Sequence, residues 1–328
     1  MFELKEETLK KIGLFKPKEK DTKKKLAIIC LKGLDNFMQW IDHLDESRFE
    51  VRKCIVEKEN EIEEAITWAD IVWFEWMNQS AIYGTTFRGT QFKDNVIIHC
   101  HSYEVLSGFP QQIGWQDVDK VVYVAEHVKR VCLDQLPDKL PRKIEHLVIP
   151  NGVDLDKYTF QEREHGNNIA FVGYINHKKG PMLLLHAMRE IADKYPEKIL
   201  HIAGKHQDPR FEAYFKQNIG TMGLLKHIEF HGWVKEMDDF LKDMNYVICT
   251  SPWESQGMGI MEAMACGIKP LVHNFYGAKY VYSPLHLWNT LESLLDMMTD
   301  SYTSARYRKY VEERYSLEKQ VKAIEEIL

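Results

Sequence analysis

No apolar stretch among the 328 residues approaches the length that spans a bilayer, and the N-terminus carries no signal-peptide core. A protein that stays where it is made, in the cytoplasm, is the expectation. The six cysteines include no C-x-x-C pair and lie scattered through apolar runs, so they read as reduced, buried side chains rather than a disulfide framework. Charge of neither sign dominates: 43 Lys and Arg against 49 Asp and Glu leave a net of −6, which gives no reason to expect nucleic acid as a partner. Low-complexity tracts and short-period repeats are missing too, which points away from a fibrous or disordered chain.

The composition that is present, 45% hydrophobic and 28% charged, is that of a globular protein, and the length exceeds one usual domain. Residues 1–25 form a lysine-rich leader with Phe2, Leu9, Ile12 and Phe15 at loosely helical spacing. Interleaved acidic residues favour a solvated leader with a short packed helix; an amphipathic element would instead allow weak contact with the inner membrane surface.

From residue 26, short apolar runs alternate with longer amphipathic ones. Strands are expected at 25–31, 49–56, 69–76, 95–101 and 120–125, then, after a proline-rich break over 136–158, at 168–174, 198–204, 228–233, 246–251 and 269–274. Helical stretches such as 180–195 and 236–244 separate them. The pattern predicts an α/β protein with two Rossmann-like, doubly wound domains, 26–148 and 149–303, facing a central cleft. Residues 304–328 read as one or two amphipathic helices.

In such sheets ligands bind where strand ends run into helix N-termini. The stretch SPWESQGMGIMEAMACG, 251–267, sits at one such end. Gly257 and Gly259 permit close approach to a ligand, and a helix start beside them is an anion site. Glu254 on the loop and Glu262 one turn into the helix can accept hydrogen bonds from hydroxyls. Carboxylates for hydroxyls beside amides for phosphate describe a sugar nucleotide.

These residues resemble the E-x7-E signature of retaining GT-B glycosyltransferases, family four, in the fuller form P-x-x-E-S-x-G-x-x-x-x-E-A-M-A-C-G. IPNGVDLDKY, FVGYINHKKGPMLLLHAM, LHIAGK and IEFHGWVKEMDDFLKDMNYVICTSPWES are similar to further elements of that family, in order, across roughly 149–280. The resemblance implies a GT-B fold and metal-independent transfer of a sugar from a UDP- or GDP-linked donor to an acceptor hydroxyl with retention of configuration. It implies no cofactor beyond the donor, and a saccharide, lipid-linked or small-molecule acceptor. A sugar-nucleotide epimerase and a catalytically silent sugar-nucleotide-binding or scaffold subunit remain open as alternatives.

By the same resemblance Glu262 would bind the ribose and Glu254 the transferred sugar, with the amides of Gly257, Met258 and Gly259 against sugar or diphosphate. Lys179 would contact the diphosphate. Tyr174 stands where the family commonly has an arginine, so Lys178 or Lys205 is the candidate for the missing charge. Trp233 and Val234 fall on the donor side as well. His101, with Ser102, Tyr103 and Glu104, matches the family's strand-end histidine facing the sugar, and similar proteins send the C-terminal helix back to the N-terminal domain. Gly33, Trp76, Asn78 and Gln79 are the acceptor candidates. Metal-binding D-x-D readings of Asp117–Asp119 and Asp154–Asp156 are disfavoured because neither closes an apolar strand. A metal site at His99 and His101, on one face of a strand, is disfavoured because no third ligand lies at sensible spacing.

Overall fold

The computed structural model describes residues 23–87, 91–137 and 140–328. The leader therefore lies, but for its last three residues, outside the described residues. Two six-stranded sheets, both wholly parallel, organise the chain. The first comprises β1 (Lys24–Leu31), β2 (Phe49–Val56), β3 (Ile71–Glu75), β4 (Val96–Cys100), β5 (Lys120–Tyr123) and β6 (Glu145–Val148), in the order β2-β1-β3-β4-β5-β6. The second comprises β7 (Asn168–Val172), β8 (Ile199–Ala203), β9 (Ile228–Gly232), β10 (Tyr246–Cys249), β11 (Lys269–His273) and β12 (Leu287–Trp288), in the order β12-β11-β10-β7-β8-β9.

Burial follows position in the sheet. Central β3 and β4 are buried along their whole length, as strands covered on both faces by helices must be, whereas edge β2 buries only Phe49 and Val56 at its ends and exposes Glu50, Arg52 and Lys53 between them. Two strands escape the sequence reading. β6, EHLV, is a half-exposed edge inside the stretch read as a break, and β12 is two residues long. Neither has enough apolar residues to show a period. The 236–244 stretch gives a shorter helix than expected, Met237–Leu241.

In each sheet the strand order reverses once, between β1 and β3 and between β7 and β10. Loops leaving adjacent strands diverge there and open a crevice. The loops after β7 and β10 carry Lys179 and Glu254.

Residues 304–328 form two helices, Ser304–Tyr315 and Leu317–Glu325. The first packs on the Met258–Ala265 helix of the second sheet. The second buries Leu317, Val321 and Ile324 in a core with Trp40 and Ile41 beside the first sheet.

Candidate functional site

Backbone packing around the β7–β10 crevice is tight enough to demand glycine. Gly180 holds φ +61°, and a Cβ there would lie 2.1 Å from the Thr250 carbonyl oxygen; a Cβ on Gly204 would lie 1.8 Å from that of Gly173. Gly257 (φ +77°) starts the Met258–Ala265 helix, and Gly259 lets that helix sit against Val172 of β7, 3.0 Å from where a Cβ would stand.

Within this frame the Lys179 ammonium donates to Glu254 Oε1 at 2.6 Å, and Ser251 Oγ donates to the same oxygen at 2.6 Å. Burial works against the charged lysine, but the Glu254 carboxylate outweighs it and the Lys179 pKa is raised. Gly257 and Gly259 share this pocket wall with Lys179, Ser251 and Glu254. A cavity of about 430 Å³ opens in front, with Ser102, Tyr103, Leu106 and Ser107 from the first half facing His177, Lys178, Lys179, Trp253 and Glu254 from the second.

Not every candidate meets there. Glu262 lies in the fifth position of its helix, half-buried; burial raises its pKa against the Tyr158 hydroxyl and Lys157. Tyr174, 38% exposed, stacks on Trp233 with ring centroids 5.0 Å apart, leaving a neutral aromatic pair where a cation is expected. Val234 follows that pair, half-buried. Lys178 borders the cavity, whereas Lys205 is exposed outside its lining.

On the opposite wall His101 is 2% exposed beneath Ser102 and Tyr103. The fold brings a third group, out of reach of sequence spacing, to His99 and His101: Glu75, from neighbouring β3. His99 Nδ1 and His101 Nε2 each lie 2.9 Å from Glu75 Oε1, and Trp73 Nε1 donates to Oε2 at 2.8 Å. Burial opposes a charged Glu75, but the His99 ring and the hydrogen bonds from His101 and His99 outweigh it and hold the pKa at about 2. Burial, then His99, pushes His101 down to about 4, so the imidazole is neutral at neutral pH. Burial also pushes Glu104 up to about 7; its Oε1 accepts from the backbone N–H of His101 and Met77.

Two acceptor candidates have structural work instead. Asn78 is fully buried and caps the Gln79–Thr86 helix, its Oδ1 accepting from Ser80 N at 3.0 Å. Trp76 is 8% exposed, donates from Nε1 to the Leu34 carbonyl, and stacks on His101 at 3.9 Å, held at φ +80°. Hydrogen bonding and burial, which residue type does not reveal, decide both. Gly33 (φ +85°) has open space around it and Gln79 is exposed. Both D-x-D candidates are likewise engaged: Asp119 pairs with Arg142 at 2.5 Å, and Asp154 Oδ1 accepts the backbone N–H of Asp156 and Lys157.

Sequence reasoning missed His127, whose Nε2 lies 2.8 Å from the Glu254 carbonyl oxygen and so reaches from the first half into the second. Gly277 admits it: a Cβ there would lie 2.1 Å from His127 Cγ. Nothing local to residue 127 signals a partner at 254. Gln256 was also overlooked, although it lies within the 251–267 motif; it exchanges two hydrogen bonds with the backbone of Asn151, at 2.9 and 2.8 Å.

Residues 155–287 match the family model described as Glycosyl transferases group 1. A UDP-Gal:alpha-D-GlcNAc-diphosphoundecaprenol alpha-1,3-galactosyltransferase of Escherichia coli is 26% identical over 211 residues, covering 60% of this chain and 51% of the relative. A GDP-mannose:cellobiosyl-diphosphopolyprenol alpha-mannosyltransferase of Xanthomonas campestris is 27% identical over 128 residues, 38% of this chain and 33% of the relative. The chain spans about half the length of the first of these relatives. Among solved structures, Anabaena HepE in complex with UDP-glucose superposes with a TM-score of 0.76 at 14% identity, over 93% of this chain and 99% of that one.

Proposed function

We propose that the protein, whose residues 155–287 match the glycosyl transferases group 1 model and whose two halves take a GT-B fold, moves a sugar from a nucleoside diphosphate to an acceptor hydroxyl, with retention and without a metal. The observation that carries the reading is the Lys179–Glu254 pair at the strand-order reversal, facing a cavity shared by both halves.

As the bond to the diphosphate breaks, negative charge grows on the leaving oxygens. Lys179 and the amides at the start of the Met258–Ala265 helix stabilise that charge in place, with no solvent reorganisation. Glu254, freed from Lys179 when a diphosphate takes the ammonium, accepts from sugar hydroxyls. Glu262 accepts from the ribose, and the Tyr174–Trp233 pair offers a flat face beside the donor. Neutral His101, gripped by Glu75, closes the acceptor side. Retention rests on the resemblance of the Glu254–Glu262 motif to the E-x7-E signature of retaining enzymes.

The test is a panel of UDP and GDP sugars, scoring nucleoside diphosphate release with and without chelator and the anomeric configuration of the product by NMR. Lys179→Ala and Glu254→Ala should each lower kcat by about a hundredfold or more, as loss of a charge-stabilising group does. Wild-type turnover unchanged in both variants would sink the site. A catalytically silent binding subunit is the second reading, favoured by neutral Tyr174 at the expected arginine position; donor binding without turnover of any donor would select it. Product sugar retained on the nucleotide would select an epimerase.

A further inference from the structure

Past the cleft rim the surface changes character. Trp253, which borders the cavity, stacks on exposed Tyr276 with ring planes 7° apart. Four residues on, exposed Tyr280 carries the Arg130 guanidinium 4.7 Å from its ring centroid. Beside Tyr280 a groove of about 560 Å³ runs between the 279–286 segment and the Ser304–Tyr315 helix. Lys279, Arg306, Lys309 and Arg314 line it, against a single acidic lining residue, Glu313. Leu285, 60% exposed, protrudes from the same segment.

In a chain of net charge −6 this is a local reversal of sign. The potential is felt inside as well: burial, then the charges of Arg306 and Lys269, hold the His286 imidazole down to about 4. Clustered cations suit phosphate, tyrosine rings suit the headgroup level, and a protruding leucine suits the acyl boundary. An acidic protein partner would account for the cations but not for an apolar side chain standing among them.

We propose that this face docks the protein on a bilayer bearing anionic phospholipid headgroups, with the Trp253–Tyr276 rim of the cleft held at headgroup level. The inference deepens the functional reading above by assigning the acceptor to the lipid-borne class, since such an acceptor would meet the cleft from that surface. Vesicle binding is measured without donor, so its failure leaves donor turnover unaffected.

The experiment is co-sedimentation of the full chain with phosphatidylcholine vesicles and with vesicles containing one third phosphatidylglycerol, at low and high salt. Binding is expected only to the anionic vesicles and is released by high salt. Lys279→Gln, Arg306→Gln and Lys309→Gln together should weaken it about a hundredfold, each exposed cation near such a surface being worth about fivefold. A matched triple variant on the other side of the second sheet, Lys216→Gln, Lys226→Gln and Lys235→Gln, should bind as wild type. No binding to anionic vesicles, equal binding to neutral ones, or equal losses in the two triple variants would each overturn the proposal. Retained donor turnover and circular dichroism show that the groove variant is folded.

Discussion

Glu104 shows how one buried carboxyl can carry a pH signature for the whole chain. It is fully buried, its Oε1 takes two backbone N–H groups, and Oε2 has no partner among the described residues. Burial raises its pKa to about 7, so the folded state prefers the protonated form. A raised folded-state pKa means stability that is fully present below the unfolded value, near 4.5, and is lost as pH rises through about 7. Glu104→Gln keeps the acceptor oxygen and removes the titration. Between pH 4.5 and 8.5 the variant should gain on wild type by about 3 kcal/mol, the worth of about 2.5 pKa units. Urea denaturation at the two pH values measures this, and the same difference at both would refute it. Glu75 behaves oppositely, its depressed pKa giving stability that is lost only as pH falls from about 4.5 through about 2.

At the scale of elements, the two glycine types in this chain predict opposite outcomes. Gly277 sits at φ +87° with His127 filling the space a Cβ needs, and that contact seats the Glu126–Leu133 helix of the first half against the second. Gly277→Ala should cost more than about 2 kcal/mol through backbone strain and displacement of His127. Gly220, inside the Pro209–Thr221 helix, meets nothing within 4 Å, so Gly220→Ala should stabilise by about 0.5–1 kcal/mol. Thermal melts of the two single variants, moving in opposite directions, are the check. This contrast also marks what could be read in advance. β1 and the Pro181–Lys194 helix were legible because burial imposed an unbroken apolar run on the one and a period on the other. Lys179 and Glu254 were legible because their spacing from local glycines matched a known pattern. The Glu75–His99–His101 network and the His127–Glu254 contact depend on which strands and halves become neighbours, and neither partner's local sequence records the other.

At the scale of the molecule, the NGVD segment and the C-terminal helices act as one junction. Asn151 exchanges hydrogen bonds with Gln256 of the Glu254 loop, and Gly152 donates to Gln320 Oε1 at 2.8 Å; a Cβ on Gly152 would lie 2.4 Å from the Leu317 Cα. Val153 donates to the Tyr315 carbonyl and accepts from Leu317, so the turn between the two terminal helices is pinned to this segment. From there the Leu317–Glu325 helix reaches the first half, where Glu325 Oε1 accepts from Asp45 N at 2.7 Å and Ile324 is wholly buried. Packing defects at Ile324 should therefore be felt by both halves. Ile324→Ala removes a fully buried side chain and should cost about 2–5 kcal/mol. In scanning calorimetry the wild type should unfold in one transition, which the variant lowers by several degrees as a unit. Two wild-type transitions, with only one moved by Ile324→Ala, would show that the junction does not couple the halves. The cleft would then owe its geometry to the direct contacts across it, His127 among them.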